Sequence, residues 1–250
     1  YSGVFALKAF SSTTDIALFQ APLKIFTGFM IIPMSLMAPL LPVLSERANA
    51  DELRKEFAMI SQSMFRFLLI FSTALTMAGV ALAGWVIPLI YGEAFAPSIV
   101  GLKILLLGMS FFFLNTFFVT IAVATRRQRS IMPVQAVGLV ASLLLNIALV
   151  PSIGHKGSAI ALVVSGGLIF GVYCYLFRDL FSGNFLLKAG MIPFIGILLT
   201  SVIQVLSTSI NVMYSLRIGI AFFIVCLLRF KLISVEELAP LMGFVRKRRL

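Results

Sequence analysis

Two uncharged runs of twenty residues, 131–150 and 158–177, are separated by only seven residues, PSIGHKG. A helix of twenty residues rises about 30 Å, the thickness of a bilayer's hydrocarbon core. The short connection carries Pro151, Gly154 and Gly157, which mark a turn rather than a third element. A chain with this pattern has one economical solution, a helical hairpin that crosses a membrane twice, because backbone polar groups in lipid must be satisfied inside the segment. The remainder agrees: 60% of the residues are apolar and 12% charged, which excludes an ordinary soluble domain.

Taken in order, residues 1–10 read as the tail of a helix too short to span, followed by the polar turn Ser11, Ser12, Thr13, Thr14, Asp15. The chain opens on Tyr1 inside an apolar run, without the basic region or cleavage site of a signal peptide, so an upstream segment is expected to be missing. Residues 16–44 are apolar but interrupted by Pro22, Pro33, Pro39 and Pro42, which predicts a broken helix whose freed carbonyls are re-satisfied by protein or by a watery cavity. In the polar stretch SERANADELRKEF, Asn49 and Glu52 have capping-box spacing. Leu53, Phe57, Ile60 and Met64 then share one helical face, predicting an interfacial amphipathic helix that feeds the next span. Spans are expected at 65–84, with Trp85 and Tyr91 as interfacial anchors, and at 99–124, whose phenylalanines read as packing or lipid-facing surface. Beyond the hairpin, further spans are expected at 189–206 and 212–232. Residues 234–250 form a basic tail, with Ser234 and Glu237 at capping-box spacing, suited to an anionic leaflet. The expected fold is therefore all-α, a polytopic transmembrane helix bundle over residues 1–250 with seven full spans and one truncated one.

The formal charge of +11 is concentrated between spans. Scored alternately, one set of loops holds Arg47, Arg54 and Lys55, then Arg126, Arg127 and Arg129, then Arg178 and Lys188, then the tail. The other set, around Asp15, Glu93, His155 and Asn211, holds only Lys156. The basic set, with the C-terminus, is expected to face the cytoplasm.

Catalysis at a membrane site calls for acids, bases or metal ligands within reach of substrate. The acidic residues lie in loops or at span ends, there is no paired carboxylate, metal cluster or phosphate-cradling loop, and His155 reads as a solvated turn residue. Cys174 and Cys226, each alone in an apolar run, read as small hydrophobes. No enzyme activity, catalytic residue, cofactor or metal is expected.

The basic residues within spans point elsewhere. Lys24 lies eight residues into its expected helix, about 12 Å deep at 1.5 Å per residue. A lysine near the bilayer centre costs about 2.5–3.5 kcal/mol, and such residues usually face a cavity, partner or pathway; snorkelling to the interface is the alternative. Lys8 is a second candidate. Arg66, Lys103 and Arg217, nearer span ends, favour snorkelling but add to a positive field that can hold an anionic head group. Asn115 and Asn146 are buried amides suited to hydrogen bonds across helices or, less often, to lining a cavity, while Gly167 and Gly171 have the small-xxx-small spacing of a close helix contact.

Three stretches, DIALFQAPLKI with the downstream PLLPVLSE, then VIPLIYGEAFAPSIVGLKIL, then NIALVPSIGHKGSAIA, resemble the C-terminal half of polysaccharide-biosynthesis flippases. These are the Wzx-type O-antigen transporters of the multidrug/oligosaccharidyl-lipid/polysaccharide exporter superfamily. The resemblance covers about residues 15–165. It implies two pseudo-symmetric helix bundles around a cationic lumen, the first bundle lying outside these residues. It implies a bacterial inner-membrane transporter moving oligosaccharide on undecaprenyl pyrophosphate from the cytoplasmic to the periplasmic leaflet, in company with other polysaccharide-assembly proteins. Lys24 matches the basic position after the family's aromatic-x-Ala-x-x pattern, here Phe19 to Leu23. Other readings are a cation-coupled multidrug exporter, which needs a membrane-embedded carboxylate; a glycan polymerase or ligase, which needs a sizeable outer loop; and a membrane scaffold, which gives no reason for a lysine in a broken helix.

Overall fold

The computed structural model of the chain describes residues 2–179. The spans expected at 189–206 and 212–232, the basic tail, Arg217 and Cys226 lie outside the described residues. Within them every regular element is helical, and the helices long and apolar enough to cross a membrane number four, or five if one bent pair counts as a span. The expected all-α polytopic bundle is observed.

Helix α1 (Ser2–Phe10) is the short leading segment. The proline-rich stretch forms three pieces, α2 (Thr13–Phe29), α3 (Ile31–Met37) and α4 (Leu40–Ala48), of which the first two together make one candidate span. Ser12 starts α2, its hydroxyl accepting from the Asp15 N–H at 3.2 Å. Pro22 sits inside α2 and has no N–H for the carbonyl of Leu18. That carbonyl instead accepts from the buried hydroxyl of Ser98 at 2.8 Å. The protein re-satisfies the broken ladder, as the proline pattern requires.

Helix α5 (Arg54–Tyr91) runs unbroken for 38 residues, about 57 Å. The amphipathic segment and the span after it are thus one helix rather than two, and Phe57 and Met64 face the core. The expected capping box is absent. A 3-10 turn (Asp51–Leu53) precedes α5, and Asn49 serves the opposite end of structure, its amide donating to the carbonyls of Ser45 at 2.6 Å and Ala124 at 3.4 Å. The open C-terminal carbonyls of two helices outcompete the N-terminus of a third for the Asn49 donors.

The span expected at 99–124 is bent by 45° at Gly108 into α6 (Ser98–Leu107) and α7 (Met109–Ala124). Helix α7 is the centre of the core. Phe113, Phe117 and Phe118 are fully buried; Phe65 meets Phe117 and Phe118 edge-on at 5.7 and 6.0 Å, and Phe118 stacks on Tyr173 and Phe177. The phenylalanine-rich run is packing surface.

The hairpin is present as α8 (Ile131–Ile153) and α9 (His155–Leu176), joined through Gly154 at φ 56°, ψ −135°. Its close approaches are not where the small-residue spacing places them. A Cβ on Gly171 would meet nothing within 4 Å and one on Gly167 only the Phe111 ring at 3.5 Å, whereas one on Gly157 would lie 2.7 Å from the Leu149 carbonyl oxygen. The tight backbone contact belongs to the turn, and farther along the hairpin the arms meet closely again where Gly138 of α8 receives the Ile169 side chain of α9.

Side-chain contacts sort the loops into two ends. Asn49 reaches Ala124, and Arg127 pairs with Asp179 at 2.7 Å, so the first two basic clusters and Arg178 of the third share one end. Asp15 and His155 meet at 2.9 Å, so two of the basic-poor turns share the other.

Candidate functional site

Helix α2 has two chemically distinct faces. Phe19, Ala21, Pro22 and Phe26 are buried, with Phe26 edge-on to Phe112 at 5.1 Å. On the other side Thr13, Ala17, Lys24 and Thr27 are exposed and Gln20 is half-buried. These positions recur at intervals of four, three, four and three residues and so form one stripe. Because α2 begins at Thr13, Lys24 lies about 17 Å along it, deeper than the sequence alone suggests and close to the middle of a 30 Å core. Its ammonium makes no hydrogen bond or ion pair with any described residue. Gly28, one turn further on the same face, is also exposed, and a Cβ there would meet nothing within 4 Å.

The other basic candidates do not join Lys24 in one cluster. Helix α2 packs on α1, α6 and α9, which brings the helices of Lys8 and Lys103 beside it. Lys8 is exposed in the last turn of α1, and Lys103 is half-buried on α6. Arg66 is half-buried on α5, which packs against α4, α6 and α7 rather than α2, and it has contacts of its own.

Both asparagines are buried in helix interfaces. Asn115 donates to the Gly166 carbonyl at 3.1 Å, tying α7 to α9, while its own carbonyl oxygen is buried without a partner among the described residues. Asn146 donates to the Ser142 carbonyl at 2.7 Å and accepts from the Ser158 hydroxyl at 2.9 Å, which lies 3.4 Å from the carbonyl of Gly3. This network joins α8, α9 and α1.

His155 is not a solvated turn residue. It is 8% exposed, with Nδ1 2.9 Å from the Asp15 carboxylate and Nε2 buried without a partner among the described residues. The second Asp15 oxygen accepts from Ser11 at 2.6 Å and Ser12 at 3.1 Å. The carboxylate also lies against the start of α9, so close that a Cβ on Gly154 would be 3.0 Å from Oδ1, where a helix N-terminus favours negative charge. The Ser12-x-x-Asp15 pattern and the placement of both turns on one side were the available signals; the burial of the ring depends on packing between residues 140 apart.

No protein-family profile matches the chain, and no curated protein matches it. A solved structure of the lipid II flippase MurJ, in its inward closed conformation, superimposes with a TM-score of 0.62 at 19% identity, covering 87% of this chain and 46% of that one. The two share a fold. The chain spans about half the length of MurJ.

Proposed function

We propose that this chain is the second of two helical bundles in an inner-membrane flippase for lipid-linked oligosaccharide, and that Lys24 attracts the pyrophosphate of its substrate. The observation that carries the reading is an exposed lysine, without a partner among the described residues, at mid-span on a polar stripe of a proline-containing helix. Such a charge in contact with lipid costs about 2.5–3.5 kcal/mol, whereas a watery lumen keeps it solvated and lets it act on an anion. Gln20, Thr13 and Thr27 on the same stripe supply hydrogen-bonding groups for sugar hydroxyls. A fold shared with a lipid II flippase supports a lipid-linked substrate. The substrate proposed is an O-antigen-type repeat unit on undecaprenyl pyrophosphate, passed from the cytoplasmic to the periplasmic leaflet without covalent chemistry. Lys8, Lys103, Arg66 and Arg217 add to the positive field, and the basic end, with the C-terminus, faces the cytoplasm.

The cation-coupled exporter is less well supported. Among the described spans the carboxylates are Asp15 and Glu56, each at a helix end and each paired, with His155 and Arg47.

Two measurements test the proposal. Lys24→Ala should abolish glycan export at matched protein level, with Lys24→Arg retaining part of it. In a variant whose native cysteines are replaced, Gly28→Cys should react with a membrane-impermeant thiol reagent. Normal export by Lys24→Ala would remove Lys24 from the mechanism, and labelling of Gly28→Cys by apolar reagents alone would place the stripe in lipid and end the lumen reading.

A further inference from the structure

The connection between α7 and α8 holds three arginines in four residues, Arg126, Arg127 and Arg129. Helix α7 closes in a Schellman arrangement, the Arg127 N–H donating to the Ala122 carbonyl at 2.8 Å and the Arg126 N–H to that of Val123 at 3.2 Å. The left-handed position in this motif is usually glycine. Here it is Arg126 at φ 57°, the one non-glycine residue with positive φ among the described residues. An arginine on the preceding Thr125 would serve the helix dipole equally well without that strain, so the dipole does not account for a side chain at 126.

The neighbouring cations differ in what they have to do. Arg127 is bidentate to Asp179, at 2.7 and 3.3 Å, and lies over the Phe177 ring. Arg178 sits 4.9 Å over the exposed ring of Tyr175. With the Asp179 carboxylate engaged, Arg126, Arg129 and Arg178 are left as exposed cations at this corner, and Arg126 and Arg129 have no carboxylate partner among the described residues. Directly beside them, in the first turn of α8, Met132 is 81% exposed.

We propose that this corner binds an anionic phospholipid, with Arg126 holding the headgroup phosphate. Guanidinium groups suit phosphate oxygens, Tyr175 marks the depth of the membrane interface, and Met132 offers apolar surface to an acyl chain. That combination fits a lipid better than a soluble anion, which would gain nothing from the apolar part. It also gives a reason for the strained backbone, which places a guanidinium where glycine would be relaxed.

Arg126→Gly separates this role from a structural one, because it removes the side chain and relieves the strain together. The full chain is reconstituted in phosphatidylcholine discs with and without phosphatidylglycerol, and its thermal midpoint is measured. Phosphatidylglycerol should raise the wild-type midpoint. Arg126→Gly should match or exceed wild type in phosphatidylcholine yet lose more than half of the phosphatidylglycerol increment, and Arg126→Lys should keep more of it than Arg126→Gly. A full increment in Arg126→Gly, or none in wild type, overturns the proposal. So does soluble glycerol phosphate that reproduces the increment in phosphatidylcholine discs, since the corner would then recognise any phosphate.

Discussion

The bond from Ser98 to Leu18 makes the proline in α2 open to quantitative test. Ser98 is completely buried and donates at 2.8 Å to the carbonyl that Pro22 leaves without its helical partner. Ser98→Ala removes the donor while Pro22 still supplies none. A buried acceptor left unsatisfied costs about 1–3 kcal/mol, and interhelical hydrogen bonds in membranes average about 0.6 and reach about 1.7 kcal/mol. Since the Leu18 carbonyl has no alternative partner within its helix, a loss near the upper membrane figure is expected, about 1.5 kcal/mol. In a Pro22→Ala background an N–H is restored at position 22, and Ser98→Ala should then cost only about 0.5 kcal/mol, giving a coupling of about 1 kcal/mol. The proline ring also packs toward Gly101, where a Cβ would lie 3.6 Å from Pro22 Cγ, but that packing loss is common to both arms of the cycle and cancels. Unfolding free energies of the four proteins, measured by steric trapping in bicelles, give the coupling directly. If Ser98→Ala costs the same in both backgrounds, the hydroxyl is not replacing the missing helix bond and the account of the break in α2 is wrong.

Two further outcomes follow from the hairpin and the basic end. Gly157→Ala must push against the Leu149 backbone, so it should destabilise the protein by about 1–3 kcal/mol, while Gly171→Ala, with open space around it, should be neutral; equal effects in a thermal-shift comparison would restore the small-residue reading of α9. At the basic end, the hydrogen bond from Arg127 holds the Asp179 carboxyl below the ordinary carboxylate range and holds the Arg127 guanidinium above its own. A lowered carboxylate value stabilises the fold fully above about pH 4, the unfolded value, and that contribution is lost as pH falls through the folded one. The stability advantage of wild type over Asp179→Asn should thus be constant from neutrality to about pH 5 and shrink below about pH 4; an advantage undiminished in stronger acid would show that the pair does not set it.

Uncharged length made the hairpin legible, because a span and a turn differ in composition over many residues. The two ends of the bundle were legible from charge for the same reason. The bend at Gly108 was not, since residues 99–124 are apolar on both sides of it and the break depends on tertiary contact, a Cβ there lying 2.7 Å from Val163. Asn49 shows a different failure. Its spacing to Glu52 satisfies a local rule, yet one of the carbonyls that binds it is 75 residues away. Lys24 was marked by being a charge in an apolar run, but only the stripe of exposed neighbours and the absence of partners among the described residues turn that oddity into a candidate site. His155, in a turn rich in glycine, carries no local sign that its ring is enclosed.

The pairing of Asp15 with His155 also sets an order of events during biogenesis. The carboxylate leaves the ribosome 140 residues before the imidazole that meets it, so until then its side-chain partners among the described residues are Ser11 and Ser12. Its docking is completed when the α8–α9 hairpin arrives. A chain ending before residue 155 would still seat α2 against α6 through the Ser98 bond, but it would leave the Asp15 carboxylate without its imidazole, so the hairpin completes the fastening of the helix that carries Lys24 at the end where that helix begins.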